Sequence, residues 1–293
     1  MAEPALRERA LPVLAILAGV LALWVAAAVW LNSPGAIERV LAPRGAWGWR
    51  DLVSATLTMQ RPVLPSPHLV AIDLWHSIVD WPVTSPRNLL YHLGVTAQAT
   101  LVGFVAGSLL GLLLAAGIVH SRTLDRALLP WVVASQTVPV LAIAPIVLVI
   151  LGTLGFPGVW PKAAIAMYLC FFPVTVATVQ GLRSPQRIDT ELMHTYAASR
   201  WQTFWMLRLP AALPFLFPSL RVAIAAGLVG AMVAELPTGA QAGLGARLLT
   251  GSYYGNTVQI WSALVMSALL GLGLTAAMAG VEKLVLRHRG GTR

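Results

Sequence analysis

Residues 190–210 of the chain read TELMHTYAASRWQTFWMLRLP, a polar segment between two long apolar runs. Only 11% of the 293 residues are charged and 57% are hydrophobic, whereas a soluble domain carries about 25% charged residues. Polar side chains are costly inside lipid, so we expect this segment on a membrane face. The pattern predicts a short helix over residues 188–197, with Glu191 near its N-terminus, where the dipole favours a carboxylate. Ser199 can cap a second helix, and Pro210 should prevent its simple continuation.

Six apolar runs approach or exceed the roughly 20 residues that a membrane-spanning helix needs. The runs cover residues 11–31, 95–119, 128–154, 163–182, 212–236 and 260–286. The first run is longer than the apolar core of a cleaved signal peptide, so we expect a retained helix. The sequence therefore predicts an all-α polytopic membrane protein with six transmembrane helices.

The distribution of lysine and arginine predicts the orientation of these spans, because cytoplasmic connections carry more of both. Basic residues are frequent near the two termini and in the connection at 183–211, whereas the short connections of the opposite face hold only Lys162 and Arg247. The net charge of +9 does not indicate nucleic-acid binding, because the basic residues are scattered between spans. We expect four regions: a cytoplasmic N-terminus with the first helix at 1–31, an outer, interfacial segment at 32–92, the remaining spans at 93–287 and a cytoplasmic tail at 288–293.

Prolines interrupt two of the runs. The third run contains Pro130, Pro139 and Pro145, and the fourth contains Pro173. Proline leaves carbonyl groups unpaired and bends a membrane helix, which is tolerated where neighbours or a cavity satisfy the freed groups. We therefore expect the third span to be a broken helix that packs against neighbouring helices or lines a cavity, with the polar residues 135–137 beside the break.

A stripe of glycines marks the second run, at Gly103, Gly107 and Gly111. Small residues at intervals of four let two helices approach closely in lipid. We interpret the stripe as a helix-packing surface rather than as part of a substrate site.

The connection at 183–211 resembles the EAA loop of the inner-membrane permeases of bacterial ATP-binding cassette (ABC) importers, and it is called the EAA-like segment below. That pattern is E-A-A, three residues, G, nine residues and then I-x-L-P. The residues at its fixed positions here are Glu191, Ala197, Leu207, Leu209 and Pro210. Leu192 and Met193 replace two alanines, and Ala197 replaces the glycine, the residue that best tolerates a positive φ.

Other elements follow in the order seen in the nitrate/sulfonate/taurine branch of these permeases. They are the stretch from Pro130 to Pro145, Phe171-Phe172-Pro173, the EAA-like segment, and Glu235 with Gly243-Leu244-Gly245. The similarity covers roughly residues 65–287. It implies a type I importer permease core of five helices, beginning near Val95, preceded by an N-terminal helix. It also implies an assembly of two permease chains, two cytosolic ATPase subunits and an outer solute-binding protein.

The resemblance assigns the EAA-like segment to contact with an ATPase subunit. The candidate contact residues are Glu191, Tyr196, Ala197, Ser199, Arg200 and Trp201. Glu191 and Arg200 offer directional charge pairs, and Tyr196 and Trp201 offer the aromatic area that dominates many interfaces.

Polar residues within the spans are candidates for the translocation pathway, because such residues are expensive unless they face a partner or water. These candidates are Gln136, Thr137, Tyr168, Thr175 and Glu235. For Gln136 an interhelical hydrogen bond remains an alternative. For Glu235 the alternative is an interfacial carboxylate just outside the apolar core.

Motifs for catalysis are missing from the sequence. It contains no G-x-x-x-x-G-K-[ST] nucleotide-binding motif, and the glycine-rich stretch at 239–245 lacks the lysine. The six histidines are dispersed, and the single cysteine, Cys170, can form no intrachain disulfide. We expect a non-catalytic subunit without metal or cofactor. By resemblance, ATP and Mg²⁺ bind to the partner ATPase.

Two other classes of protein fit the sequence less well. A self-sufficient secondary transporter or channel would need ionisable residues deep in the spans, which hold almost none. A membrane-embedded enzyme would need a catalytic constellation. The same scarcity of intramembrane cations favours a small, weakly charged solute, pyrimidine-like or a vitamin precursor, over nitrate, sulfonate or taurine. One copy offers only five core helices, so we expect two copies to pack about a two-fold axis. We expect a homodimer rather than a heterodimer, and we expect it in a bacterial inner membrane.

Overall fold

The computed structural model describes residues 6–237 and 242–287, and the regular secondary structure of these residues is helical. The predicted tail at 288–293, the first five residues and part of the glycine-rich stretch at 239–245 lie outside the described residues. The α-helices are α1 (Leu6–Ala36), α2 (Trp49–Leu57), α3 (Pro67–Val79), α4 (Leu89–His120), α5 (Arg122–Ala134), α6 (Val140–Thr153), α7 (Val159–Leu182), α8 (Arg187–Thr195), α9 (Arg200–Thr203), α10 (Leu209–Ala234), α11 (Leu244–Tyr253) and α12 (Thr257–Arg287).

Five helical stretches of the described residues are long and apolar enough to cross a membrane. They are Leu11–Leu41, Leu89–His120, Val159–Leu182, Arg200–Ala234 and Thr257–Arg287. Six spans are obtained when the bent pair Arg122–Thr137 and Val140–Thr153 is counted as one. The all-α membrane fold predicted from the sequence is therefore confirmed.

The third predicted span is broken, as its prolines indicated. α5 ends at Ala134, a 3₁₀ turn covers Ser135–Thr137, and α6 begins after Pro139, its N-cap. The two helical parts meet at an angle of 101°. Pro139 has no N–H with which to continue a helix from the preceding turn, and this explains the position of the break.

The chain divides into two compact units, Met1–Leu90 with Arg247–Val265 and Tyr91–Ala246 with Met266–Arg293. In the described part of the first, the buried Asn32 of α1 organises a proline-rich stretch. Its Oδ1 atom accepts hydrogen bonds from Val63 N (2.8 Å) and Leu64 N (3.2 Å), and its Nδ2 atom donates to Leu64 O (2.8 Å). Trp24 Nε1 donates to Pro65 O at 3.0 Å. These bonds supply partners for backbone groups that a proline-rich stretch cannot pair internally.

A charged pair lies further along the same unit. Arg247 of α11 and Asp73 of α3 are each half-buried and interact electrostatically. Burial lowers the pKa of the Arg247 guanidinium, and the charge of Asp73 opposes that shift. The arginine assigned to an outer connection thus lies on a helix.

In the second unit, α7 packs against both α4 and α10 through glycines. A side-chain carbon at Gly107 would lie 2.7 Å from the Met167 carbonyl oxygen, and one at Gly111 would lie 2.8 Å from that of Phe171. A side-chain carbon at Gly227 of α10 would lie 2.7 Å from Cys170 Sγ. The interpretation of the glycine stripe as a packing surface is confirmed, because only a residue without Cβ permits these approaches.

The helix that ends in α10 begins earlier than the sequence predicted. α9, a π-helical turn at Phe204–Arg208 and α10 follow one another without interruption. In that turn Leu209 N–H donates to Phe204 O, five residues earlier. Pro210 therefore does not stop the helix: it lies in the first turn of α10, where the wider π turn accommodates a residue without an N–H.

Candidate functional site

Hydrogen bonds between side chains and the backbone cap the starts of both short helices of the EAA-like segment, α8 and α9. At the start of α8, Gln186 N donates to the Asp189 carboxylate at 3.2 Å. At the start of α9, Ser199 N donates to Gln202 Oε1 (2.8 Å) and Gln202 N donates to Ser199 Oγ (3.2 Å). Such reciprocal bonds satisfy backbone donors that a helix start leaves free. The prediction that Ser199 caps a second helix is confirmed.

The turn between α8 and α9 explains the glycine of the EAA pattern. Ala197 has φ +50°, and it is the one residue other than glycine with a positive φ among the described residues. Ala197 N donates to His194 O (2.9 Å) and Ala198 N donates to Met193 O (3.0 Å). These two bonds form a Schellman motif with Ala197 at the left-handed position, which glycine usually occupies. Alanine adopts this conformation here at a cost of about 1–2 kcal/mol.

The side chains of this segment are accessible. Tyr196 is 76% exposed and Trp201 is 66% exposed. Glu191 Oε1 pairs with Arg187 Nε at 2.8 Å on the surface of α8. Ala197, Ser199 and Arg200 are also exposed. All six predicted contact residues thus lie together on one exposed helix–turn–helix.

A basic cavity lies beside this helix–turn–helix. It has a volume of about 310 Å³, and its lining includes His120, His194, Arg200 and Arg208. The His120 ring packs on Phe204 with 5.0 Å between centroids. Basic side chains of the EAA-like segment thus lie beside the end of α4.

Three of the five predicted pathway residues meet at the break between α5 and α6. Gln136 and Thr137 are exposed in the 3₁₀ turn. The hydroxyl of Tyr168 on α7 donates to the carbonyl oxygen of Ser135. The same carbonyl also accepts from Val138 N at 3.4 Å, so the tyrosine ties α7 to the turn at the break. Thr175 lies elsewhere, fully buried, with its hydroxyl donating to Phe171 O at 2.7 Å.

The fifth pathway candidate, Glu235, lies in a different, fully buried cluster. The Thr96 hydroxyl of α4 lies 3.0 and 2.9 Å from its two carboxylate oxygens. Lys162 Nζ of α7 lies 3.3 Å from Glu235 Oε1 and donates to Ala242 O at 2.5 Å. Both charged side chains are buried: Lys162 is 6% exposed and Glu235 is 0% exposed.

This cluster covers the N-terminus of α11. Three consecutive N–H groups find side-chain acceptors there: Gly243 N donates to His92 Nδ1 (3.0 Å), Leu244 N to Thr96 Oγ1 (2.8 Å) and Gly245 N to Glu235 Oε2 (2.9 Å). A helix leaves its first N–H groups unpaired, so these acceptors satisfy groups that burial would otherwise make costly.

Glycine is required at two of these positions. Gly243 has φ +125°, a conformation that other residues avoid. A side-chain carbon at Gly245 would lie 2.8 Å from Glu235 Cβ. The Gly243-Leu244-Gly245 sequence therefore allows the backbone to approach the buried carboxylate.

Sequence reasoning missed the partners of Glu235 and a second ion pair. Lys162 was assigned to an outer connection, and Thr96 and His92 were given no role. Arg221, in the middle of α10, forms an ion pair with Glu282 of α12. The available signal was the presence of opposite charges within the apolar runs at 212–236 and 260–286, since a charge in lipid needs a partner.

Comparison with known proteins gives one family. A family model described as binding-protein-dependent transport system inner membrane component matches residues 107–289. The formylaminopyrimidine transport permease protein ThiX of Halalkalibacterium halodurans is 34% identical over 242 residues, 81% of this chain and 90% of that protein. The riboflavin transport system permease protein RibX of Chloroflexus aurantiacus is 34% identical over 225 residues, 77% of this chain and 80% of that protein. The nitrate import permease protein NrtB of Leptolyngbya laminosa is 25% identical over 247 residues, 81% and 83% of the two chains.

The spanning helices and the exposed helix–turn–helix between them fit the class of protein that the family model and the relatives give, the multi-pass permeases of ABC importers. This chain belongs to the family of binding-protein-dependent transport system inner membrane components. The predicted resemblance is confirmed, and the chain is a multi-pass protein of the inner membrane. The relatives are transport permeases, which are non-catalytic subunits.

Proposed function

We propose that this permease carries a small organic solute of the pyrimidine-like or vitamin-precursor class. The observation that carries the proposal is the identity of 34% with both a formylaminopyrimidine permease and a riboflavin permease, over 81% and 77% of the chain. The nitrate permease is 25% identical over a similar length. Nitrate, sulfonate and taurine are therefore the less favoured substrates.

The charges within the spans support a weakly charged solute. Arg221 lies in the middle of α10, but it pairs with Glu282 and so adds no uncompensated positive charge. Lys162 pairs with Glu235 in the same way. An anionic solute usually requires an unpaired cation or several donors along its path.

Uptake into proteoliposomes tests the substrate class. The permease is reconstituted with its ATPase and binding protein, and uptake of formylaminopyrimidine, riboflavin, nitrate and taurine is measured with and without internal ATP. We expect ATP-dependent uptake of one of the first two compounds. Uptake of nitrate or taurine alone would contradict the substrate class. Uptake that persists without ATP would favour the alternative, a self-sufficient transporter or channel.

The energy for transport comes, in this proposal, from a separate cytosolic ATPase dimer that binds ATP and Mg²⁺, whereas the permease itself holds no cofactor. Glu191, Tyr196, Ala197, Ser199, Arg200 and Trp201 form the contact with one ATPase subunit. Their exposure and their grouping on one helix–turn–helix support this role. Both termini are then cytoplasmic, and a binding protein delivers the solute on the opposite face.

Two copies of the permease complete the assembly. Each copy presents one EAA-like segment to one ATPase subunit, so that closure of the ATPase dimer moves both copies together. Such a change shifts the population between an inward-facing and an outward-facing state. The break between α5 and α6, with Gln136, Thr137 and Tyr168, is the favoured wall of the pathway, and Thr175 and Glu235 are secondary candidates for it. Native mass spectrometry of the complex measures the copy number, and a single permease chain per two ATPase subunits would contradict the homodimer.

A further inference from the structure

One continuous helical stretch joins the EAA-like segment to the buried Glu235. It runs from Arg200 to Ala234, 35 residues, with the π turn inside it, and Glu235 is its C-cap. At 1.5 Å per residue its length is about 50 Å, enough to cross a bilayer. The exposed Trp201 and the buried carboxylate are thus at opposite ends of one helix.

The carboxylate end contacts three other elements of the same unit. We call Thr96, Lys162 and Glu235 the cap cluster. Thr96 belongs to α4, Lys162 to α7, and the backbone groups that they and Glu235 bind belong to residues 242–245. Each hydrogen bond has a defined direction, so the cap cluster fixes the first turn of α11 relative to the end of α10.

The energetics of a buried pair indicate positioning rather than net stabilisation. When two opposite charges are buried, their attraction only partly offsets the hydration free energy that both lose. A protein with well-packed apolar residues in their place is therefore often as stable. Lys162 and Glu235 both keep their charge-bearing atoms out of water and direct them to backbone groups. Apolar replacements could fill the same volume but could not hold the N-terminus of α11.

We propose that the cap cluster is a set of positioning residues that passes the movement of α10 to α11 during transport. This inference rests on the proposed contact of the EAA-like segment with the ATPase. When that contact moves Arg200 and Trp201, the continuous helix moves Glu235, and the hydrogen bonds of the cap cluster move the first turn of α11. Lys162 and Thr96 hold Glu235 in the orientation that Gly245 N–H requires, and they also bind Ala242 O and Leu244 N–H directly.

The test measures the number of solute molecules transported per ATP hydrolysed by the reconstituted complex. The variants are Glu235→Gln, which keeps the shape but not the charge, and the double variant Lys162→Met/Glu235→Met, which replaces the pair by apolar residues. We expect ATPase subunits to co-purify normally and to hydrolyse ATP, while transport per ATP falls by about tenfold, within the usual range of coupling between sites. The control is Asp80→Asn, which removes the exposed His76–Asp80 hydrogen bond, a contact outside the EAA-like segment and the cap cluster, and should leave the ratio unchanged.

Three outcomes overturn the inference. One is an unchanged ratio in both variants, and a second is a normal ratio in the apolar double variant, because packing alone would then suffice. The third is a loss of ATP hydrolysis in proportion to the loss of transport, in a variant that still assembles with the ATPase. That result would indicate that the cap cluster has only a structural role. If Glu235→Gln fails to fold, the double variant alone still tests the inference. A wild-type complex that transports solute without bound ATPase would instead contradict the proposed function.

Discussion

The two ends of the long helix carry the same kinds of group in opposite environments. Near the EAA-like end, the Arg187–Glu191 pair has side chains that are 92% and 63% exposed, whereas the Lys162–Glu235 pair at the other end is 6% and 0% exposed. An exposed pair contributes little and exchanges partners readily, while a buried pair is fixed by its surroundings. The first end is therefore suited to bind another protein, and the second to hold a helix of this chain in place.

The two ends also differ in the type of residue that adopts a positive φ. The cap-cluster end has Gly243 at φ +125°, whereas the EAA-like end has Ala197 at φ +50°. Glycine is needed in the first case because the backbone also approaches a carboxylate closely. At Ala197 only the backbone conformation is strained, so alanine remains possible at a modest cost.

Deletion of residues 191–200 should have the largest effect. It removes the end of α8, the turn and the cap of α9, and therefore all but one of the predicted ATPase contacts. We expect transport to be abolished while the protein still inserts in the membrane, as measured by uptake and by membrane fractionation. Normal uptake by the deletion variant would remove the basis for assigning this end to the ATPase.

Gly245→Ala should have the next largest effect, at the opposite end. The added methyl group would come closest to the Met232 carbonyl oxygen and would lie 2.8 Å from Glu235 Cβ, and such overpacking costs about 1–3 kcal/mol. Thermal unfolding of the detergent-solubilised protein measures this loss of stability. The matched control is Gly273→Ala in α12, where no atom lies within 4 Å of the added carbon. Equal stability of the two variants would show that the cap cluster tolerates the methyl group.

Ala197→Gly should stabilise the EAA-like end. Glycine adopts the observed φ of +50° without the alanine penalty, although it also gains entropy in the unfolded chain, so we expect a net gain of about 1 kcal/mol or less. Thermal unfolding of the same preparation measures the gain. Ala198→Gly, one residue later, is the control, because Ala198 has no positive φ and should lose stability. A loss of stability in Ala197→Gly would contradict the assignment of strain to this position.

Glu191→Gln should have the smallest effect on the stability of the isolated permease. The pair with Arg187 is an exposed pair four residues apart on a helix, and such pairs contribute about 0.3–0.5 kcal/mol. Binding of the ATPase to the purified variant, measured by co-purification, should nevertheless weaken, because Glu191 is a proposed contact. A large loss of stability without a change in ATPase binding would mean that Glu191 acts within the permease.

The sequence predicted the membrane fold, the break at the third span and the exposed EAA-like segment, because each follows from local composition or from a fixed spacing. It did not predict that Pro210 lies inside a continuing helix, since the π turn depends on how the preceding residues are bonded. It identified Glu235 but not its partners. Lys162 and Thr96 are distant from Glu235 in the sequence, and only the packing of α4, α7 and α10 brings them together.

Photo-cross-linking in the assembled transporter is the most direct test of the claim that the EAA-like end meets the ATPase. A photoreactive amino acid replaces Tyr196, which is 76% exposed, or Tyr253 of α11, which is 69% exposed and serves as the matched control. We predict a cross-link from position 196 to the ATPase subunit and none from position 253. A cross-link to the ATPase from position 253 and not from position 196 would contradict the account.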